Sequence, residues 1–184
     1  MGAALGSWAL VSVLVVGTLM VGHTAAMPGP VSWAGTDAGL LKVDGAPTSV
    51  VHVVPANCSC TDGLVRHLIA RGKRADVSEL VLFVGEPTAL HRSVVEAGYR
   101  LQVMPATELN ARLGLTAGPV LAVRRQGRLS YLGGYFRYPA AVRSLDESLI
   151  DDTLAGRLPD ALPLFGCAVD PALLGRVDPL GLGR

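Results

Sequence analysis

Apolar positions along this chain fall first into one unbroken stretch and later into short runs of strand or helix periodicity, with a featureless segment between them. Ala3 to Gly22 carries no charge over twenty residues. At 1.5 Å per residue such a helix is about 30 Å long, the thickness of a bilayer core. This predicts a transmembrane anchor or a signal peptide over residues 3–22. The missing basic n-region and the length favour the anchor, although Thr24-Ala25-Ala26 offers a cleavage site before Met27. Residues 27–47 shift to Gly, Pro, Ala, Ser and Asp and read as a flexible linker.

Regular patterning begins at Thr48. The β-branched run from Thr48 to Val54 predicts a strand, and Leu64, Val65, Leu68 and Ile69 recur at helical spacing through Thr61 to Arg71 before the stop at Gly72. Glu79 to Gly85 is a continuous apolar run, as expected of a strand covered on both faces. Pro87 opens a helix carrying Leu90, Val94, Val95 and Ala97, closed by Gly98. Tyr99 to Met104 is a strand, and Ala106 to Leu113 a short helix closed by Gly114. Gly118 to Val123 and Arg128 to Leu132 flank a turn at Arg124 to Gly127 and predict a hairpin. Pro139 to Leu158, with Leu145, Leu149, Ile150 and Leu154, predicts a long amphipathic helix. The order β-α-β-α-β-α-β-β-α describes one α/β domain over residues 48–158, followed by a loose tail over 159–184.

A net charge of +1, with 17% charged residues, leaves no electrostatic footprint for nucleic acid. Only Lys42 and Lys73 are lysines among 16 basic residues, and the arginine excess adds no basic cluster. Chemistry concentrates instead in Cys58-Ser59-Cys60, at the junction of the first strand and its helix. A helix N-terminus favours thiolate over thiol, which is the nucleophilic form. Redox exchange is therefore the leading expectation, with catalytic Cys58 attacking and Cys60 resolving. Side chains two apart on a helix diverge by about 200°, so Cys58 must sit in the non-helical turn for the pair to meet. A ring enclosing only Ser59 would be strained, which predicts an oxidised form less stable than the reduced one. Asp62 and Cys167 are accessory candidates, the latter as a third redox partner, an interchain bridge, a third metal thiolate or a packed residue. His52 reads as a core or edge residue, and His67, seven residues after Cys60, lies too far along the helix to contact it, so neither is a site candidate.

The cysteine pair after the first strand and the Gly118-Pro119 opening of the hairpin resemble the thioredoxin fold. More narrowly, the chain is similar to membrane-anchored TlpA-type redoxins, which place an extra strand-helix unit inside that core. The passage from Leu113 to Val123, followed by Gly127 and Gly133, carries the likeness over roughly residues 48–158. It departs from the family in having Cys-X-Cys for Cys-X-X-Cys and no aromatic residue before the pair. The resemblance implies a central mixed sheet with flanking helices and a cis Pro119 facing the cysteines. It also implies that Gly118 is exposed to pair with a substrate strand.

The expected activity is that of an extracytoplasmic thiol-disulfide oxidoreductase or isomerase, with the domain facing the periplasm or cell exterior. Its partners would be protein thiols or disulfides, an unidentified redox partner and the membrane. It needs no cofactor, no metal and no nucleic acid. The alternatives are a copper or other metal-binding chaperone, since paired soft thiolates suit Cu(I), a redox-inactive peptide-binding domain, and a peroxiredoxin-like peroxidase faintly suggested by Pro55.

Overall fold

A computed structural model describes residues 2–24, 26–27, 29, 46–56, 58–86, 89–139 and 143–177, with side chains of 2–5, 18–24, 59 and 60 outside the description. Most of the linker and the last seven residues therefore lie outside the described residues. The elements are α1 (Gly2–Thr24), β1 (Thr48–Pro55), α2 (Ser59–Arg71), β2 (Ser78–Val84), α3 (Leu90–Glu96), β3 (Arg100–Met104) and α4 (Ala106–Leu113). They continue with β4 (Ala117–Gly118), β5 (Val120–Arg125), β6 (Arg128–Gly133), α5 (Asp146–Leu154), β7 (Cys167–Ala168) and α6 (Pro171–Val177).

Five strands form one mixed sheet in the order β3-β2-β1-β5-β6, with β3, β2 and β1 parallel and β5 and β6 antiparallel. All eight positions of β1 are buried, which accounts for its β-branched run having no polar side apart from His52 and the residues at its start. Alternation sends Val50 and Val54 to one face, against Leu64, Val65 and Leu68 of α2, Val94 of α3, and Leu149 and Ile150 of α5. Val51 and Val53 go to the other face, against Leu109 and Leu113 of α4 and Leu164 and Leu173 from the C-terminal segment. The hairpin turn is tighter than the sequence suggests. Gln126 and Gly127 both have positive φ (51° and 78°), the geometry of a two-residue turn whose twist matches the strands it joins.

Two predicted elements change. The helix expected over Pro139 to Leu158 is only Asp146–Leu154; residues 140–142 lie outside the description. Asp146 and Glu147 supply a favourable acidic first turn. The preceding chain is held instead by the buried Tyr135, whose carbonyl accepts from the Leu145 amide at 2.9 Å. The expected loose tail contains β7 and α6. Its anchors, Leu164 and Leu173, stand in short apolar clusters without sustained periodicity, so only their burial reveals them. At the linker's start, Met27 is also buried, its amide donating to the Leu164 carbonyl at 2.8 Å.

Among the described residues, no helix is long and apolar enough to cross a membrane. The backbone of α1 runs from Gly2 to Thr24, but its side chains are described only over residues 6–17.

Candidate functional site

Cys58 occupies the N-cap of α2 in extended conformation (φ −137°, ψ 122°), with its carbonyl accepting from the Thr61 amide at 2.9 Å. The helix thus starts at Ser59, two residues before the periodicity suggests, because only apolar positions report periodicity and the first turn has none. Cys58 is non-helical and buried, with 5% exposure. Asp62 lies exposed in the first turn. The Cys60 side chain is among those not described.

Cys58 forms its disulfide with Cys167, not with Cys60. Here the structure corrects the expected pairing within Cys-X-Cys. The reason is tertiary. The strands β4 and β7 pair antiparallel, with Gly118 opposite Cys167 and Ala117 opposite Ala168. This brings the Cys167 Cα to 6.1 Å from that of Cys58, within the span a disulfide bridges. Thr116 reinforces the placement by accepting from the Val169 and Asp170 amides. Asp170 also accepts from Asn110 and from the Ala172 and Leu173 amides, holding the start of α6.

The Gly118–Pro119 peptide bond is cis. Gly118 itself is buried rather than exposed, because the chain's own β7 fills its pairing edge. A Cβ at Gly118 would come within 2.9 Å of the Pro55 ring, so glycine is demanded by the close approach of the end of β1. Cys58, Cys167, Gly118 and Pro119 are thereby gathered at one end of the sheet.

A second polar cluster lies on the face of the sheet covered by α2 and α5. His52, Glu79 and Asp146 are all fully buried. Glu79 Oε1 accepts from Arg71 Nη2 at 2.6 Å and lies 3.2 Å from His52 Nε2; Oε2 accepts from the Arg74 amide at 2.8 Å. A carboxylate can only accept, so His52 Nε2 carries a proton toward it. His52 Nδ1 meets the Tyr135 hydroxyl at 2.8 Å. Arg71 Nε lies 3.3 Å from Asp146 Oδ2, and Asp146 Oδ1 is 2.9 Å from His67 Nε2. Burial alone would push the Glu79 carboxyl up, but the His52 ring, the Arg71 guanidinium and the Arg74 amide together hold it down to about 2. Asp146 is likewise held below its ordinary value, against the effect of burial, by Ser144, His52, His67 and Arg71. The core reading of His52 gains these partners, and His67 is tied to Asp146. A signal for the cluster exists in the sequence: His52 interrupts an apolar run, Glu79 stands at the head of another, and buried charge requires a partner. Among the described residues, no three His, Cys, Asp or Glu side chains come together as metal ligands.

No protein-family model and no curated protein matches the chain. Among solved structures it is similar to a hypothetical protein from Sinorhizobium meliloti, with 17% identity and a TM-score of 0.54 over 79% of this chain and 96% of that one. An uncharacterized conserved protein from Geobacillus kaustophilus has 15% identity and a TM-score of 0.47, covering 80% of this chain and 92% of that one. A thioredoxin-like protein solved in solution in its oxidized form has 8% identity and a TM-score of 0.49, covering 73% and 98%. The likeness to the Sinorhizobium protein is one of fold alone. In this chain the parallel β1–β2 pair, the antiparallel β5–β6 hairpin, the helices on both faces and the cis bond before β5 fit a thioredoxin-like fold.

Proposed function

We propose that this chain is a membrane-anchored thiol-disulfide exchange protein working outside the cytoplasm, of the TlpA-like redoxin type. The observation that carries the reading is a disulfide at the N-cap of α2, one strand pair away from a cis-proline, in a thioredoxin-like fold. Cys58 is the exchanging sulfur. As a thiolate it would be stabilised by the unpaired N–H groups and positive end of α2. Cys167 takes the resolving role first given to Cys60. The β3–α4 unit between α3 and the hairpin is in keeping with the TlpA-like type.

Exchange is balanced without a cofactor. A substrate thiolate attacks Cys58 Sγ, the bond to Cys167 breaks, and Cys167 leaves as thiolate. A second substrate thiol then attacks the mixed disulfide, leaving the substrate oxidised and Cys58 and Cys167 reduced. Cysteine-to-serine variants at positions 58, 60 and 167, purified with their thiols blocked, test the scheme. With a disulfide substrate supplied, exchange runs in reverse: the free Cys58 thiolate opens the substrate bond and releases one substrate thiolate. Cys167→Ser should then accumulate mixed disulfides on Cys58, because no Cys167 thiol resolves them, and Cys58→Ser should carry none. Should Cys167→Ser carry no adduct, the disulfide is a structural staple and the exchange reading fails.

The anchor is supported by the uncharged span of residues 3–22 and by the apolar exposure of Trp8, Leu10, Val11, Val13 and Val16 on α1. A helix apolar on all sides needs a nonaqueous surround. A C-terminal reporter active only in the cytoplasm should stay silent on the full chain; strong signal would overturn the extracytoplasmic placement.

A further inference from the structure

The exchange reading leaves the substrate unnamed, but the chain holds an extended segment of its own in the site. Cys167–Ala168 pairs antiparallel with Ala117–Gly118 while the Cys167 sulfur is bonded to Cys58. An extended peptide added to a sheet edge takes its affinity from backbone pairing and its selectivity from the space left for side chains. Space is most restricted at the position before the cysteine. A Cβ on Gly166 would overlap the Gly118 carbonyl oxygen and lie 2.5 Å from Pro119 Cδ and 2.7 Å from the Gly118 carbonyl carbon. These obstacles are backbone and ring atoms, which cannot swing aside as a flexible side chain does. After the cysteine stands Ala168, a small residue packed against the core beneath α4.

We propose that Phe165 to Ala168 is a resident pseudosubstrate, and that the groove between Cys58 and Gly118 takes extended peptides in which glycine immediately precedes the reacting cysteine. The proposal rests on the exchange reading and names its substrate class. The incoming peptide thiolate attacks Cys58 Sγ, the Cys58–Cys167 bond breaks, and a peptide–Cys58 disulfide forms. Cys167 departs as thiolate and takes a proton from solvent, and its strand yields the Gly118 edge to the peptide. One disulfide replaces another, and no outside oxidant is needed.

The test uses the oxidised full chain carrying Cys60→Ala, so that Cys58 and Cys167 are its only cysteines. The probes are a capped synthetic peptide of residues 163–169, the same peptide with Gly166→Ala, and glutathione as a small thiol without a binding strand. Intact mass follows adduct formation, and peptide mapping locates it. The parent peptide should modify Cys58 about tenfold faster than its alanine counterpart, the scale of a steric overlap that cannot relax. In the protein, Gly166→Ala should loosen the resident strand and speed exchange of the parent peptide at Cys58. If that variant does not fold, the peptide comparison on the Cys60→Ala chain decides alone. Equal rates for the two peptides would overturn the proposal and leave the exchange reading standing, whereas an adduct on Cys167 in place of Cys58 would overturn the proposal and the assignment of Cys58 as the exchanging sulfur. Failure of every thiol, dithiothreitol included, to open the disulfide in the folded protein would overturn the exchange reading itself.

Discussion

Reduction of the Cys58–Cys167 disulfide is expected to lower the free energy of unfolding by about 4–5 kcal/mol, the chain-entropy value for a loop of roughly a hundred residues. The two cysteines lie 109 positions apart and enclose every element from α2 to α5, with β1 outside the loop. The sign is opposite to the one the Cys58-Ser59-Cys60 spacing suggests. A ring closed within three residues would strain the oxidised state, whereas a bond across this distance mainly restricts the unfolded chain. Urea denaturation of oxidised and reduced protein measures the difference. Cys58→Ala and Cys167→Ala should each match the reduced wild type, and Cys60→Ala should match the oxidised one. Equal stability of oxidised and reduced protein would show that the C-terminal segment is held without its covalent link.

Removal of the Glu79 carboxylate should be nearly as damaging. Arg71 has only 7% of its side chain exposed, and its 2.6 Å partner is Glu79. Glu79→Ala leaves that guanidinium buried beside an empty position, a change that typically costs about 3–5 kcal/mol. The same group sets an acid limit. Its carboxyl is lowered from 4.5 to about 2, so its contribution is fully present above the unfolded value and is lost as pH falls toward 2. A depression of that size corresponds to about 3 kcal/mol. The lowered Asp146 contributes in the same direction. Stability measured from pH 6 down to pH 2 should therefore fall steeply below about 4.5 in the wild type and more gently in Glu79→Gln. Parallel curves for the two proteins would remove Glu79 from the account.

Much of this architecture is written locally. The run from Thr48 to Val54, the Ala106–Leu113 helix with Gly114 in a left-handed cap, and the hairpin around Gly127 all follow from periodicity and turn chemistry read within about a dozen residues. Cys58 does stand at the N-cap, where a bond to Cys60 would have required it, but its partner is Cys167. Gly118-Pro119 stands where its motif places it, and the bond is cis.

What lay beyond the sequence was partnership across distance. Nothing near Cys167 signals Cys58; the two meet because Gly118 pairs with Cys167 and because a glycine at 166 lets the strands touch. Arg71, Glu79, His52 and Asp146 belong to four separate elements, and only the stacking of α2 and α5 over β1 and β2 makes them one cluster. Local patterning determines which residues must leave water. Tertiary packing decides which of them meet, because a contact between distant segments depends on the register of every element between them.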